Sequence, residues 1–223
     1  DPEPLAGHGE TDVKEEIRIL LLQDQERFEA KGLFGKPGDS FSMRIPGQPE
    51  FLLVTPDHHK PESVSINCPG SDIPGLHARL YRNRADAGAV LLSGTPWSAA
   101  LAGAGETIPV LFDEQARHVG EVTEPVPEGD LQGLESALEG GANIAIVGER
   151  RLCLGVTPER IVFNAELFEK CAQAFMIALS SGQRIRRIPW WVRSIAAGRL
   201  RKDQVRAAES LAAGRIPEGM NAY

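Results

Sequence analysis

Few residues in this 223-residue chain are placed to do chemistry. Its five histidines are His8, His58, His59, His77 and His118, and none forms the i, i+4 pair by which one helix face holds zinc. His58 and His59 follow Asp57, a grouping suited to a surface metal site. Adjacent side chains on an extended chain point opposite ways, however, so both reading as plain loop residues fits better. His77 lies beside Leu76 and Leu80 on a predicted helix, which suits a satisfied core or helix-end histidine. The three cysteines (Cys68, Cys153 and Cys171) are scattered, match no zinc spacing and read as reduced thiols. Cys153 follows Arg150 and Arg151 but sits in a predicted strand, where core packing is the simpler role. Gly88 and Gly94 make no dinucleotide fingerprint, and neither a P-loop nor a G-x-S-x-G elbow is present. Read this way, the chain offers a fold class and no site.

The elements that would position these groups alternate between helix and strand. Val13, Ile17, Leu20, Leu21 and Phe28 share one helical face over 12–31, and Gly32 ends it. Phe41–Arg44 and Phe51–Thr55 read as short strands around the turn Pro46-Gly47-Gln48-Pro49, and 56–70 as mostly loop. A helix begins near Pro74. Ala87–Leu92 is almost wholly apolar, as expected of a strand buried on both faces. A short helix over 97–104, a strand over 108–112 and a helix over 131–138 follow. Strands at 143–147 and 151–154 flank the turn Gly148-Glu149-Arg150, and Thr157-Pro158-Glu159 opens a long helix reaching Ser180. This order predicts an α/β layered domain over 12–182, after a loose acidic arm over 1–11 and before a tail over 183–223. In the tail, Ala196-Ala197-Gly198-Arg199 recurs as Ala212-Ala213-Gly214-Arg215, which suggests two short helical pieces.

Composition sets the outer limits. The net charge of -7 excludes a general nucleic-acid binder, although Arg184–Arg206 carries eight bases against the single acid Asp203. No apolar run approaches the ~18 residues of a membrane span, and the polar start reads as no signal peptide, so a cytoplasmic protein is expected. Trp190-Trp191 with Arg186 and Arg187 suits an interface anchor or a docking patch for the tail itself. Acidic partners are a further option for these arginines together with Arg184 and Arg193.

Several phrases resemble the class II aldolase/adducin family over about residues 12 to 181. They are Leu76-His77-Ala78-Arg79-Leu80-Tyr81, Arg84-Ala85-Asp86-Ala87-Gly88-Ala89-Val90, Thr95-Pro96-Trp97-Ser98-Ala99-Ala100-Leu101, Gly155-Val156-Thr157-Pro158-Glu159 and Ala165-Glu166-Leu167-Phe168-Glu169. The resemblance implies a layered fold with a central, mainly antiparallel sheet flanked by helices. It also implies a homo-oligomer, a tetramer in much of the family. The family's zinc-binding histidine pair falls on Leu92 and Gly94, its third histidine on Glu149 and its catalytic glutamate on Ile73. The phosphate cradle keeps Ser42 and Arg44 but carries Asp57 and Asp72 where hydroxyls are expected. Carboxylates beside a phosphate dianion are repulsive.

The expectation is therefore no metal, no cofactor and no aldolase chemistry, with the fold retained as a binding or scaffold domain. The tail would offer a protein partner a surface, and neither nucleic acid nor membrane is expected to bind. The alternative is a metal-independent lyase or isomerase in a remodelled cleft built from Asp57, His58, Asp72, His77, Glu149 and Arg150.

Overall fold

A computed structural model of the chain describes residues 8–182 and 185–218. Six strands form one antiparallel sheet in the order β3-β2-β1-β4-β6-β5: β1 Ser40–Arg44, β2 Glu50–Thr55, β3 His58–Ser65, β4 Ala89–Ser93, β5 Ile144–Val147 and β6 Arg150–Gly155. Helices cover both faces: α1 His8–Ala30, α2 Ile73–Asn83, α3 Pro96–Ala104, α4 Leu131–Glu139 and α5 Pro158–Ser180. A π-helical turn, Gln115–Val119, and the C-terminal helix α6, Trp190–Ala212, complete the described chain. None of these helices is long and apolar enough to cross a membrane.

The two-residue period of the strands divides the core into two layers. Phe41, Met43, Leu52, Val54, Leu91 and Cys153 face α1, α3 and α5 and meet Ile17, Leu21, Phe28, Leu101, Ile161 and Phe168. Phe51, Leu53, Val90, Leu92, Leu152 and Leu154 face the other way and meet Leu80 and Tyr81 of α2 and Leu134 and Leu138 of α4. Every residue of β4 is buried, which explains why it is apolar up to its last residue, Ser93.

Side-chain caps fix where the helices begin. Asp72 accepts from Gly75 N at the start of α2, and Thr95 and Ser98 make a reciprocal capping box on α3. Thr157 accepts from Arg160 N on α5.

The structure corrects four sequence expectations. Helix α1 starts at His8, inside the segment read as a loose arm; residues 1–7 lie outside the described chain. Residues 58–65, read as loop, form edge strand β3: its polar residues and Pro61 obscure the pattern but are tolerated where one side has no strand to pair with. Residues 108–112 are not a strand. Ile108 and Val110 are buried, but nearby backbone groups bond the Gln115 side chain and Ile188 N–H instead of a ladder. The tail is one helix, not two pieces. Ala196, Leu200, Gln204, Ala207 and Leu211 form a buried stripe that carries α6 through Gly198.

Candidate functional site

The end of β4 carries Leu92, Ser93 and Gly94. Leu92 pairs in register with Ser40 on one side and Leu152 on the other. It is 6% exposed and belongs to the apolar cluster that includes Leu53 and Leu152, against which Ile73 of α2 also packs. The side chain at position 92 thus lies in the core beneath α2.

Gly94 is tied down through its backbone. Its N–H donates to Asp39 Oδ1 at 2.9 Å, and Asp39 Oδ2 accepts from Gly35 N (3.0 Å) and Lys36 N (2.9 Å). The buried Asp39 carboxylate therefore organises the 35–39 loop and pins it to the end of β4. A β-carbon at Gly94 would meet the Lys36 and Arg150 side chains at 3.8 and 3.9 Å. Arg150 Nη1 donates to Gly38 O at 2.9 Å, so this guanidinium serves to close the loop. Glu149 is exposed, and its backbone carbonyl accepts from Ser98 Oγ at 2.9 Å. Among the described residues, no three His, Cys, Asp or Glu side chains are grouped so that they could hold a metal ion. Catalytic zinc takes three protein ligands, and Leu92, Gly94 and Glu149 do not supply them.

His77 lies in the core. It is fully buried on α2, with Nε2 2.8 Å from Ser40 Oγ and Nδ1 2.7 Å from Ser42 Oγ; Ser42 Oγ also lies 2.8 Å from the Tyr81 hydroxyl. Burial pushes its pKa down to about 3, so the imidazole is neutral, with one ring nitrogen donating and the other accepting. The same burial pushes the Tyr81 phenol up. Arg44 donates to Tyr81 O and Ala87 O and lies over the Tyr81 ring at 4.9 Å. Ser42, Arg44 and His77 thereby fasten β1 to α2.

Asp57 and His58, both exposed, do come together. They line an open cavity of about 310 Å³ with Thr55, Lys60, Glu62, Asp39 and Ile73. His58, Lys60 and Glu62 alternate along β3 and so share one face. Asp72 caps the adjoining helix without lining that cavity, and Glu149 and Arg150 lie outside it. Sequence reasoning missed Asp39, Lys60 and Glu62; reading 58–65 as a strand would have found the last two.

The tail's Trp190 and Trp191 are exposed, as are Arg186 and Arg187. Helix α6 is held by Asp203, which reaches Arg117 at 2.6 Å and Arg160 at 3.6 Å. Next to them lies the buried His118, whose pKa is pushed down to about 4, mainly by burial and then by Arg160 and Arg117.

No protein-family model and no curated protein matches the chain. Solved structures do. L-fuculose 1-phosphate aldolase from Glaciozyma antarctica PI12 superposes with a TM-score of 0.66 at 14% identity, covering 95% of this chain and 93% of that one. Another L-fuculose 1-phosphate aldolase gives 0.68 at 18% identity, covering 86% and 97%. An aldolase II superfamily protein from Pseudomonas syringae gives 0.66 at 19% identity, covering 92% and 95%. The chain has the fold of the class II aldolases.

Proposed function

We propose that this chain keeps the class II aldolase-like fold without the divalent-metal reaction and serves as a binding or scaffold domain. The observation that carries this reading is that Leu92 is buried in an apolar cluster, against which the partly buried Ile73 packs at the wall of the Asp57–His58 cavity. Leu92 and Ile73 are the positions where the family resemblance calls for a metal ligand and the acid–base group. A metal-dependent aldol cleavage needs a cation to stabilise the negative charge that develops on the substrate's oxygens. Alkyl side chains, in the core at Leu92 or at the cavity wall at Ile73, offer neither a ligand nor a proton carrier.

The alternative, metal-free acid–base chemistry, draws support from Asp57 and His58 at one cavity. It also needs His77, whose ring nitrogens are both engaged by serine hydroxyls inside the core.

The test is metal analysis of the purified protein after exposure to zinc, together with a retro-aldol assay on L-fuculose 1-phosphate. The expected result is far less than one zinc per chain and no turnover. Stoichiometric zinc with cleavage abolished by a chelator would sink the proposal. Chelator-insensitive turnover lost in His58→Ala would favour the alternative.

A further inference from the structure

We propose that the cavity between α4, the 120–123 segment and the N-terminal half of α6 binds a small planar carboxylic acid as its monoanion. The cavity measures about 710 Å³, within the range of about 300–1,000 Å³ typical of ligand sites. Its walls all come from one chain. It lies at the opposite end of the sheet from Leu92, Gly94 and Glu149. Gly141 and Ala142, in its wall, lead into β5 at Ile144, whereas β5 and β6 meet at the 148–149 turn, level with Ser93. The cavity is therefore separate from the positions that the family resemblance assigns to the metal, and it can fill whether or not chemistry takes place there.

The floor of the cavity is apolar and its rim is polar. Val110, Ala116, Gly120, Ala137, Ala142 and Leu200 are buried beneath it. Four of these are alanine or glycine, and their small size leaves the space open. A β-carbon on Gly120 would come within 3.1 Å of Ala142 Cα, so two backbone segments meet closely there. Trp190, Arg193, Ala197 and Arg201 line the cavity from one face of α6, at three- and four-residue spacing.

Charge and shape select the ligand. Among the described residues, Arg201 makes no ion pair. Arg193 Nη1 donates to Glu121 Oε1 at 2.9 Å, but its Nε–H is buried without an acceptor. The lining residues thus carry two guanidinium groups against one carboxylate, a surplus of one positive charge. A carboxylate supplies the missing acceptor, and its two oxygens match the fork of a guanidinium. The start of α6 adds to the attraction, because Pro189 gives its first N–H groups no side-chain cap. The carbonyl end of α4, which borders the cavity at Gly140 and Gly141, sets the limit by repelling a second negative charge. A phosphate dianion fits poorly for that reason. The indole of Trp190, 72% exposed at the rim, and the low floor suit a flat ring.

The test is isothermal titration of the full chain with 2-naphthoate, 2-naphthamide and inorganic phosphate, with circular dichroism to confirm that each variant is folded. One 2-naphthoate per chain should bind, about tenfold or more tighter than the amide, and phosphate should not displace it. Arg201→Met should raise the Kd of the acid by about tenfold and leave that of the amide unchanged. Trp190→Ala should weaken both alike. Ala197→Trp and Gly198→Leu, the latter with no atom within 4 Å of its new β-carbon, should each fill the cavity and abolish binding of both. No binding to the wild-type chain, an amide that binds as tightly as the acid, or filled variants that still bind overturn the proposal. So does competition by phosphate, which would make this a general anion site. An affinity that falls as protein concentration rises also overturns it, because another copy of the chain would then be covering the cavity.

Discussion

At His77 both ring nitrogens meet a serine hydroxyl, so the fold accepts the neutral ring and resists the charged one. The folded pKa, about 3, is far below the ordinary 6.5. As pH falls below 6.5, the unfolded chain takes up a proton at this ring first. The stability that His77 contributes is thus complete above about 6.5 and lost as pH falls towards 3, with a slope approaching about 1.4 kcal/mol per pH unit. Asp24, whose carboxyl burial raises to about 6, acts in the opposite sense over part of this range, so the readout is the difference between wild type and variant. His77→Gln should lower stability at neutral pH by about 1–3 kcal/mol, by disturbing the buried hydroxyls, and flatten the acid limb of denaturant-measured stability. An acid limb as steep as that of the wild type would show that this ring is not the group involved.

Among the elements, two glycines make opposite predictions. In α6, a β-carbon at Gly198 would meet nothing within 4 Å, and the residue lies mid-helix with its backbone in no special conformation. Gly198→Ala should stabilise by about 0.5–1 kcal/mol by lowering the entropy lost on folding. At the end of β6, a β-carbon on Gly155 would lie 2.6 Å from Ile161 N and 2.5 Å from Ile161 Cβ. Gly155→Ala should cost about 1–3 kcal/mol or more, because backbone has to move. Thermal melts of both variants check the pair of signs. A helix start was legible where its signal is local: Thr157-Pro158 carries cap and proline side by side. Strand β3 and the continuity of α6 were not, because each depends on what lies beside it in space. The candidate site divides in the same way. The alkyl character of Leu92 and Ile73 is written in the sequence, whereas the role of Asp39 appears only once Gly35, Lys36 and Gly94 are brought around its carboxylate.

Over the whole molecule, α6 joins the layered body through several polar contacts, one of them centred on Asp203. Asp203 answers both Arg117 and Arg160, close to His118. Asp203→Ala would remove the carboxylate that Arg117 and Arg160 share in a partly buried contact, at a cost of about 3 kcal/mol. Hydrogen exchange should then show faster exchange along α6 and little change in the central strands; uniform acceleration throughout would mean that α6 and the sheet unfold as one unit. The sheet itself ends in two guarded borders. On one side β3 presents Lys60, Pro61 and Glu62; on the other, Val126 N–H donates to Ile146 O and Val126 O accepts from Gly148 N–H alongside β5. Proline and flanking charges discourage an incoming strand, and the Val126 bridge already uses the border groups beside it. Growth of the sheet from chain to chain, the route by which exposed strands run on into fibres, is disfavoured at both ends.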